Sequence, residues 1–249
     1  LGTLPTDLTE DRAMTEITYR PMSPADHQDV KALIDQAFHV ERYARTQHVR
    51  DSVLEVYMRD CLAVSTYSRV AVMEGHVVGL ILVRAAGRPR LPGSLLHRVT
   101  RWAHVAKIAV TGLSDLPSIA QYRVFDRSYR DLRAEVGTGL DNEITLFAVS
   151  AEVRGRGVGG HLFEEAVGYL RSHGARTVFL YTDTECSYRF YDSWGLTRAA
   201  TRDISVTLGG RPYGLRVFLY AGRVDQLAHP AKLRCPDGGR SLAIHRRAS

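Results

Sequence analysis

The sequence predicts an α/β fold of the α+β kind: a mixed, largely antiparallel sheet flanked by helices. Three observations predict it. Short β-rich runs are joined by two-residue turns, which suit antiparallel neighbours. Segments with apolar residues at helical spacing stand between the strands. One joint, "FAVSAEVRGRGVGGHLF" from Phe147 to Phe163, carries an apolar strand through a cluster of Arg and Gly into a helix. The chain has 249 residues with 45% hydrophobic content, enough to bury a full core. It reads as a polar leader (1–14), a single domain (15–222) and a basic, flexible tail (223–249).

The elements follow in order. "EITYRPM" is a short strand, and Ser23-Pro24-Ala25-Asp26 supplies an N-cap, a Pro at N1 and a capping-box acid for a helix. Val30, Leu33, Ile34, Ala37 and Phe38 recur on one face of that helix. A second helix is expected around "RDSVLEVYMRDCL". Ser68 to Ala85 forms a hairpin turning at Glu74-Gly75. A long stretch, 87–142, then interrupts the strands and contains two helix-like parts, "SLLHRVTRWAHVAKIAV" and "PSIAQYRVFDRSYRDLRAEV". "EITLFAVS" resumes β-character. Leu162, Phe163, Ala166, Val167 and Leu170 mark a helix that stops at Gly174. "RTVFLYTD" reads as a central strand, "SYRFYDSWG" as a short helix, and "RDISVTL-GG-RPYGLRVFLYAG" as a closing hairpin.

Composition narrows the function. Cys61, Cys186 and Cys235 are too scattered for a disulfide framework or a zinc site, so a reducing compartment and no metal are expected. The leader is polar and acidic, and no apolar run approaches the ~18 residues of a membrane span. A soluble, cytoplasmic protein without a membrane partner is the expectation. The formal charge of +6 comes mainly from Arg spread along the chain, which fits a small anionic ligand better than nucleic acid.

The glycine-rich joint names that ligand's chemistry. Gly155, Gly157, Gly159 and Gly160 let a ligand reach the backbone, and the following helix offers unpaired N–H groups and a positive dipole end. A phosphate is the natural guest. A nucleotide P-loop requires Gly-Lys followed by Ser or Thr, but His161 follows Gly160. A dinucleotide fingerprint is formally present as Gly155-x-Gly157-x-x-Gly160, with Asp183 ending the next strand. It fits poorly, because Ser150 to Arg154 separate the strand from the first glycine and too few βαβ units follow.

The remaining pattern is Arg154-Gly155-Arg156-Gly157-Val158-Gly159 with an apolar strand five residues before it. In this it resembles the GNAT superfamily of acyl-CoA-dependent N-acyltransferases. The resemblance runs through "EITLFAVSAEVRGRGVGGHLFEEAVGYL" and "VFLYTDTECSYRFYDSWGL", where Tyr191 stands four residues before Gly195. It implies acetyl-CoA as acyl donor, with the pyrophosphate held by Arg154 through Gly160 and the thioester along Phe147, Ala148 and Val149. It also implies that Thr184, Ser187 and Tyr191 border the cofactor arm. The family often has Asn where Thr184 stands and Pro where Ala151 stands.

Acyl transfer needs a neutral amine, a polarised carbonyl and a proton for the departing thiolate. The resemblance puts the Val149 N–H at the carbonyl and Tyr191 at the sulfur; the alternative for Tyr191 is an aromatic core helix. Glu143 lies six residues before Val149, so strand alternation puts both side chains on one face and makes Glu143 a candidate base. The alternative is an ion pair with an Arg. His161 reads as a solvated or capping residue, Cys186 as a small buried thiol, and Trp102 and Trp194 as packing residues. The stretch 87–142 is expected to wall the acceptor site. Leu95, Leu96, Val99, Trp102, Ala103 and Ala106 would form its apolar stripe, with Tyr122, Arg123, Tyr129 and Arg130 as polar and aromatic contacts. The same stripe would otherwise pack this stretch onto the sheet. The reading is an N-acetyltransferase acting on an unspecified amine through a ternary complex, with a non-catalytic acyl-CoA-binding module as the alternative. A homodimer is compatible with it.

Overall fold

The computed structural model describes residues 16–40, 46–111, 116–208 and 211–228, and the side chains at 107–111, 116–122 and 208 lie outside what it describes. The leader, the Tyr122 side chain and the tail beyond 228 lie outside the described residues.

The chain begins with strand β1 (Ile17–Arg20) and a single 3-10 turn (Pro24–Asp26) that leads into helix α1 (His27–Phe38). Asp26 holds this entrance. Its Oδ2 accepts the Ser23 N–H at 2.7 Å, and both its oxygens accept from Arg20 at 2.7 Å. Val30, Leu33 and Ile34 turn the apolar face of α1 inward, as their spacing dictates.

Helix α2 (Gln47–Val64) is capped by Thr46, whose hydroxyl accepts the Val49 N–H at 3.4 Å. Strands β2 (Tyr67–Met73) and β3 (His76–Arg84) form the expected hairpin. Glu74 and Gly75 take φ of 52° and 83°, the paired positive angles a tight hairpin turn requires.

Helices α3 (Ser94–Thr111) and α4 (Leu116–Val136) occupy the long interruption. Strand β4 (Glu143–Val149), helix α5 (Val158–Ser172), strand β5 (Thr177–Asp183) and helix α6 (Arg189–Ser193) follow. The closing hairpin is β6 (Thr197–Leu208) with β7 (Arg211–Arg223), and β6 starts before the "RDISVTL" segment.

The seven strands order as β1-β2-β3-β4-β5-β7-β6, and every neighbouring pair is antiparallel except β4 with β5. One face of the sheet carries α5 and α6. Leu162, Phe163, Ala166, Val167 and Leu170 of α5 are fully buried there, each contributing about 1.5–3 kcal/mol where the side chain is large. Gly79 lets α5 approach β3; a Cβ there would lie 2.9 Å from Leu162 Cδ1. The other face carries α1 and α2 over β2 to β4, and α4 over β5 to β7.

Two expectations change here. The tail does not begin at Arg223 as loose chain, because Val224 and Leu227 are buried in the α5 core and Arg171 binds both carbonyl oxygens. The stripe on α3 is turned outward rather than packed on the sheet: Leu95, Leu96, Val99 and Trp102 are 73, 64, 67 and 62% exposed. The cause is polar. The opposite face of α3 is what α2 accepts, with the Arg59 guanidinium donating to buried His97 at 2.7 Å and Arg101 pairing with Asp60.

Candidate active site

The site begins where β4 leaves β5. These parallel strands pair only at Glu143 and Phe179 among the described residues, with the Phe179 N–H donating to Asn142 O at 3.0 Å. Asn142 pins the vertex. Its Nδ2 donates to Thr177 O at 2.8 Å and its Oδ1 accepts the Ala86 N–H at 2.9 Å, tying three strands together from a buried position. Sequence reasoning passed over it; the available signal was a lone amide at the mouth of an apolar strand.

Above the vertex the strands diverge, and backbone alternation decides what faces the gap. The Ser150 N–H donates to Val78 O on β3 at 2.8 Å. The N–H groups of Val149 and Phe147 therefore turn the other way, toward the absent β5 partner. A carbonyl lying in the gap would meet two donors, one more than the sequence suggested.

The strand ends in a single 3-10 turn, Ala151–Val153, capped by Ser150. Gly155 and Gly157 both take φ of 78°, so the loop needs these two glycines for its path. Gly157 caps α5, leaving the N–H groups of Val158, Gly159 and Gly160 in the helix's unpaired first turn beside exposed Arg154 and Arg156. A Cβ at Gly159 would make ordinary contact with Phe147, Val149 and Phe190, at 3.5, 3.6 and 3.8 Å. The loop is shaped for an anionic group at the helix end.

Tyr191 lies on the α5 side of the gap. It is 9% exposed, with ring centroids of Phe147 at 6.4 Å and Tyr220 at 5.6 Å. Burial raises its phenol well above the ordinary value, and the nearby Cys186 and Asp183 add to the effect. Cys186 is itself pushed up to about 12 by burial and by Asp183, which makes it an inert thiol at neutral pH. Thr184 is exposed, and its hydroxyl accepts the Arg216 N–H at 3.4 Å, so much of its bonding goes to β7. Ser187 is exposed at the start of α6 and gives its carbonyl to the Phe190 N–H at 3.0 Å. His161 packs tilted against Tyr19 with centroids 3.9 Å apart and stands 4.0 Å from Glu165, as a helix-surface residue does.

Glu143 sits elsewhere than alternation suggested. The β3–β4 register slips between Leu82 and Val83, leaving Thr145 as an extra residue. Ile144 thus shares the α5 face with Phe147 and Val149, while Leu146 and Ala148 face α1 and α2. Glu143 is consequently on the face opposite the Val149 side chain. There its Oε2 accepts from Arg84 at 3.1 and 3.3 Å, and burial raises its pKa against the pull of Arg84 and Arg133. Tyr181 on β5 shares this face; its phenol is pushed up to about 12 by burial and by the charge of Glu143. Tyr129 of α4 stacks on Tyr181 with centroids 4.4 Å apart. Arg130 instead pairs with Asp126 on the exposed side of α4. Tyr181, unlike Tyr129, was absorbed by the sequence reading into a central strand.

A parted parallel pair, free donors in the gap and a glycine-built anion loop are the parts of one known architecture. Residues 117–196 match the model of the acetyltransferase (GNAT) family. Over this segment the chain is similar to the GNAT acetyltransferases. Among solved structures, arylalkylamine N-acetyltransferase 2 from Aedes aegypti superimposes with a TM-score of 0.55 at 14% identity, covering 84% of this chain and 99% of that one. An agmatine N-acetyltransferase variant in its apo form superimposes with a TM-score of 0.51 at 14% identity, covering 83% and 99%. These likenesses are of fold. No curated protein sequence matches the chain. The family match starts inside α4 and closes just after Gly195, so it takes in β4, the glycine loop, α5, β5 and Tyr191.

Proposed function

We propose that the chain is an N-acetyltransferase that moves the acetyl group of acetyl-CoA to a primary amine by direct attack in a ternary complex. The observation that carries the reading is the parting of β4 from β5 beside the glycine loop, which leaves the Phe147 and Val149 N–H groups facing a gap. In this reading Arg154, Gly155, Arg156, Gly157, Val158, Gly159 and Gly160 hold the pyrophosphate, Ala148 lies between the two donors, and Thr184 and Ser187 border the pantetheine arm.

The neutral amine attacks the thioester carbon, forming the C–N bond and an oxyanion that accepts from the two N–H groups. Collapse breaks the C–S bond. Tyr191, kept protonated by burial, gives its proton to the thiolate. Glu143 stands four residues below Phe147, about 10–13 Å along the strand, so it takes the ammonium proton through intervening water. Its raised pKa makes it a stronger base than an exposed carboxylate, and Arg84 keeps it ionised. Tyr129, stacked over Tyr181 on the same face as Glu143, is the contact offered to the acceptor.

The test is a screen of amine classes (polyamines, amino acids, peptide N-termini, lysine side chains, aminoglycosides) with thiol detection of released CoA. Turnover with at least one class is expected. Acetyl-CoA binding without turnover for any class would instead favour a non-catalytic acyl-CoA-binding module.

A further inference from the structure

Helix α3 is packed the wrong way round for an isolated chain. An amphipathic helix on a globular surface buries its apolar stripe, whereas α3 gives its polar side to α2 through His97 and Arg101 and leaves Leu95, Leu96, Val99 and Trp102 at least 62% exposed. Val64, at the C-terminus of α2, extends the patch at 37% exposed. Between the two helices opens a cavity of about 350 Å³ lined by Asp60, Ala63, Val64, Arg90, Arg98 and Trp102, together with Arg101.

The charge around the patch selects its partner. Helix α3 contains no acidic residue, and exposed Arg90 and Arg98 line the same cavity as Val64 and Trp102. A second copy docked through the same patch would bring these cations against their equivalents with no carboxylate on α3 to receive them. An anionic lipid surface meets both halves of the pattern. Leu, Val and Trp enter the acyl boundary, and the arginines reach the headgroup phosphates. We propose that the outward face of α3 docks the protein on anionic membranes, with the α2–α3 cavity receiving a lipid headgroup. The attachment is peripheral, since no helix among the described residues is long and apolar enough to cross a bilayer.

Trp102 provides a direct reporter, because the only other tryptophan, Trp194, is 2% exposed in the core. The full chain is mixed with vesicles of equimolar phosphatidylglycerol and phosphatidylcholine, or of phosphatidylcholine alone, and followed by flotation and tryptophan emission. Flotation with the anionic vesicles, a blue shift of Trp102, and weakening by salt are expected. Leu96→Gln with Val99→Gln should lower partitioning about tenfold while Trp194 emission and thermal unfolding stay unchanged. Arg90→Gln with Arg98→Gln should remove the preference for anionic lipid. Absence of flotation overturns the proposal. Equal flotation of the apolar double variant overturns it too, since adsorption would then reflect net charge alone. A blue shift that grows with protein concentration without vesicles would give the face to a second copy and likewise overturn it.

Discussion

In the proposed mechanism Tyr191 and Glu143 divide the proton work between the two faces of the sheet. Both were legible as candidates, but their environments were not. Burial raises each pKa, and under the proposal this has opposite uses: it would keep the Tyr191 proton on until a thiolate needs it, and it would strengthen Glu143 as a base. Tyr191→Phe should lower kcat about 10²- to 10⁴-fold with little change in CoA affinity; a wild-type kcat when chemistry limits turnover would remove the phenol from the mechanism. For Glu143→Gln the deficit in kcat/KM should be greatest near and below neutrality, where few acceptor amines are neutral, and should shrink as pH rises toward the amine pKa. Superimposable pH profiles for variant and wild type would leave Glu143 as the ion-pair partner of Arg84 alone.

Among the elements, the sequence is clearest where local chemistry dictates structure. The Ser23–Asp26 entrance, the Glu74-Gly75 turn and the Gly174 stop of α5 all follow from capping and turn rules. The entrance also carries a stability prediction. Arg20 hydrogen-bonds Asp26 and holds its pKa down to about 2, so the stabilisation is present above the carboxyl's ordinary value and is lost as pH falls through about 2. Asp26→Asn should cost about 1–2 kcal/mol at neutral pH. Denaturant unfolding should show that cost vanish at the acid end, and a constant difference would separate it from ionisation. The bulge in β4 lay beyond local reading. Its extra residue, Thr145, belongs to an unbroken β-rich run, and its hydroxyl is satisfied at 2.8 Å by Ser65, just beyond the end of α2. One inserted residue reverses every later side chain, which is why alternation misplaced Glu143 relative to Val149.

Over the whole molecule, the sheet order and the parting of β4 from β5 place the anion loop, the free backbone donors and Tyr191 at one gap, while α4 brings Tyr129 to the other face. The order of elements foretold the sheet, and the glycine spacing foretold a tight loop between β4 and α5. The orientation of α3 could not be foretold, because apolar periodicity says which residues share a face and not which face the protein covers; the polar grip of Arg59 and Asp60 decided that. Asn142 was hidden for a related reason, since its three-strand role exists only once Ala86 and Thr177 are neighbours. The most direct test of the central claim is a calorimetric titration of acetyl-CoA into wild type, Gly157→Asn and Gly157→Asp. Gly157 has φ of 78° with nothing within 4 Å of an added Cβ, so Asn and Asp meet the same backbone cost and differ in charge. Wild type should bind one acetyl-CoA per chain, the Asn variant should bind more weakly, and the Asp variant should show no binding; equal affinity for wild type and the Asp variant would contradict pyrophosphate recognition at this loop.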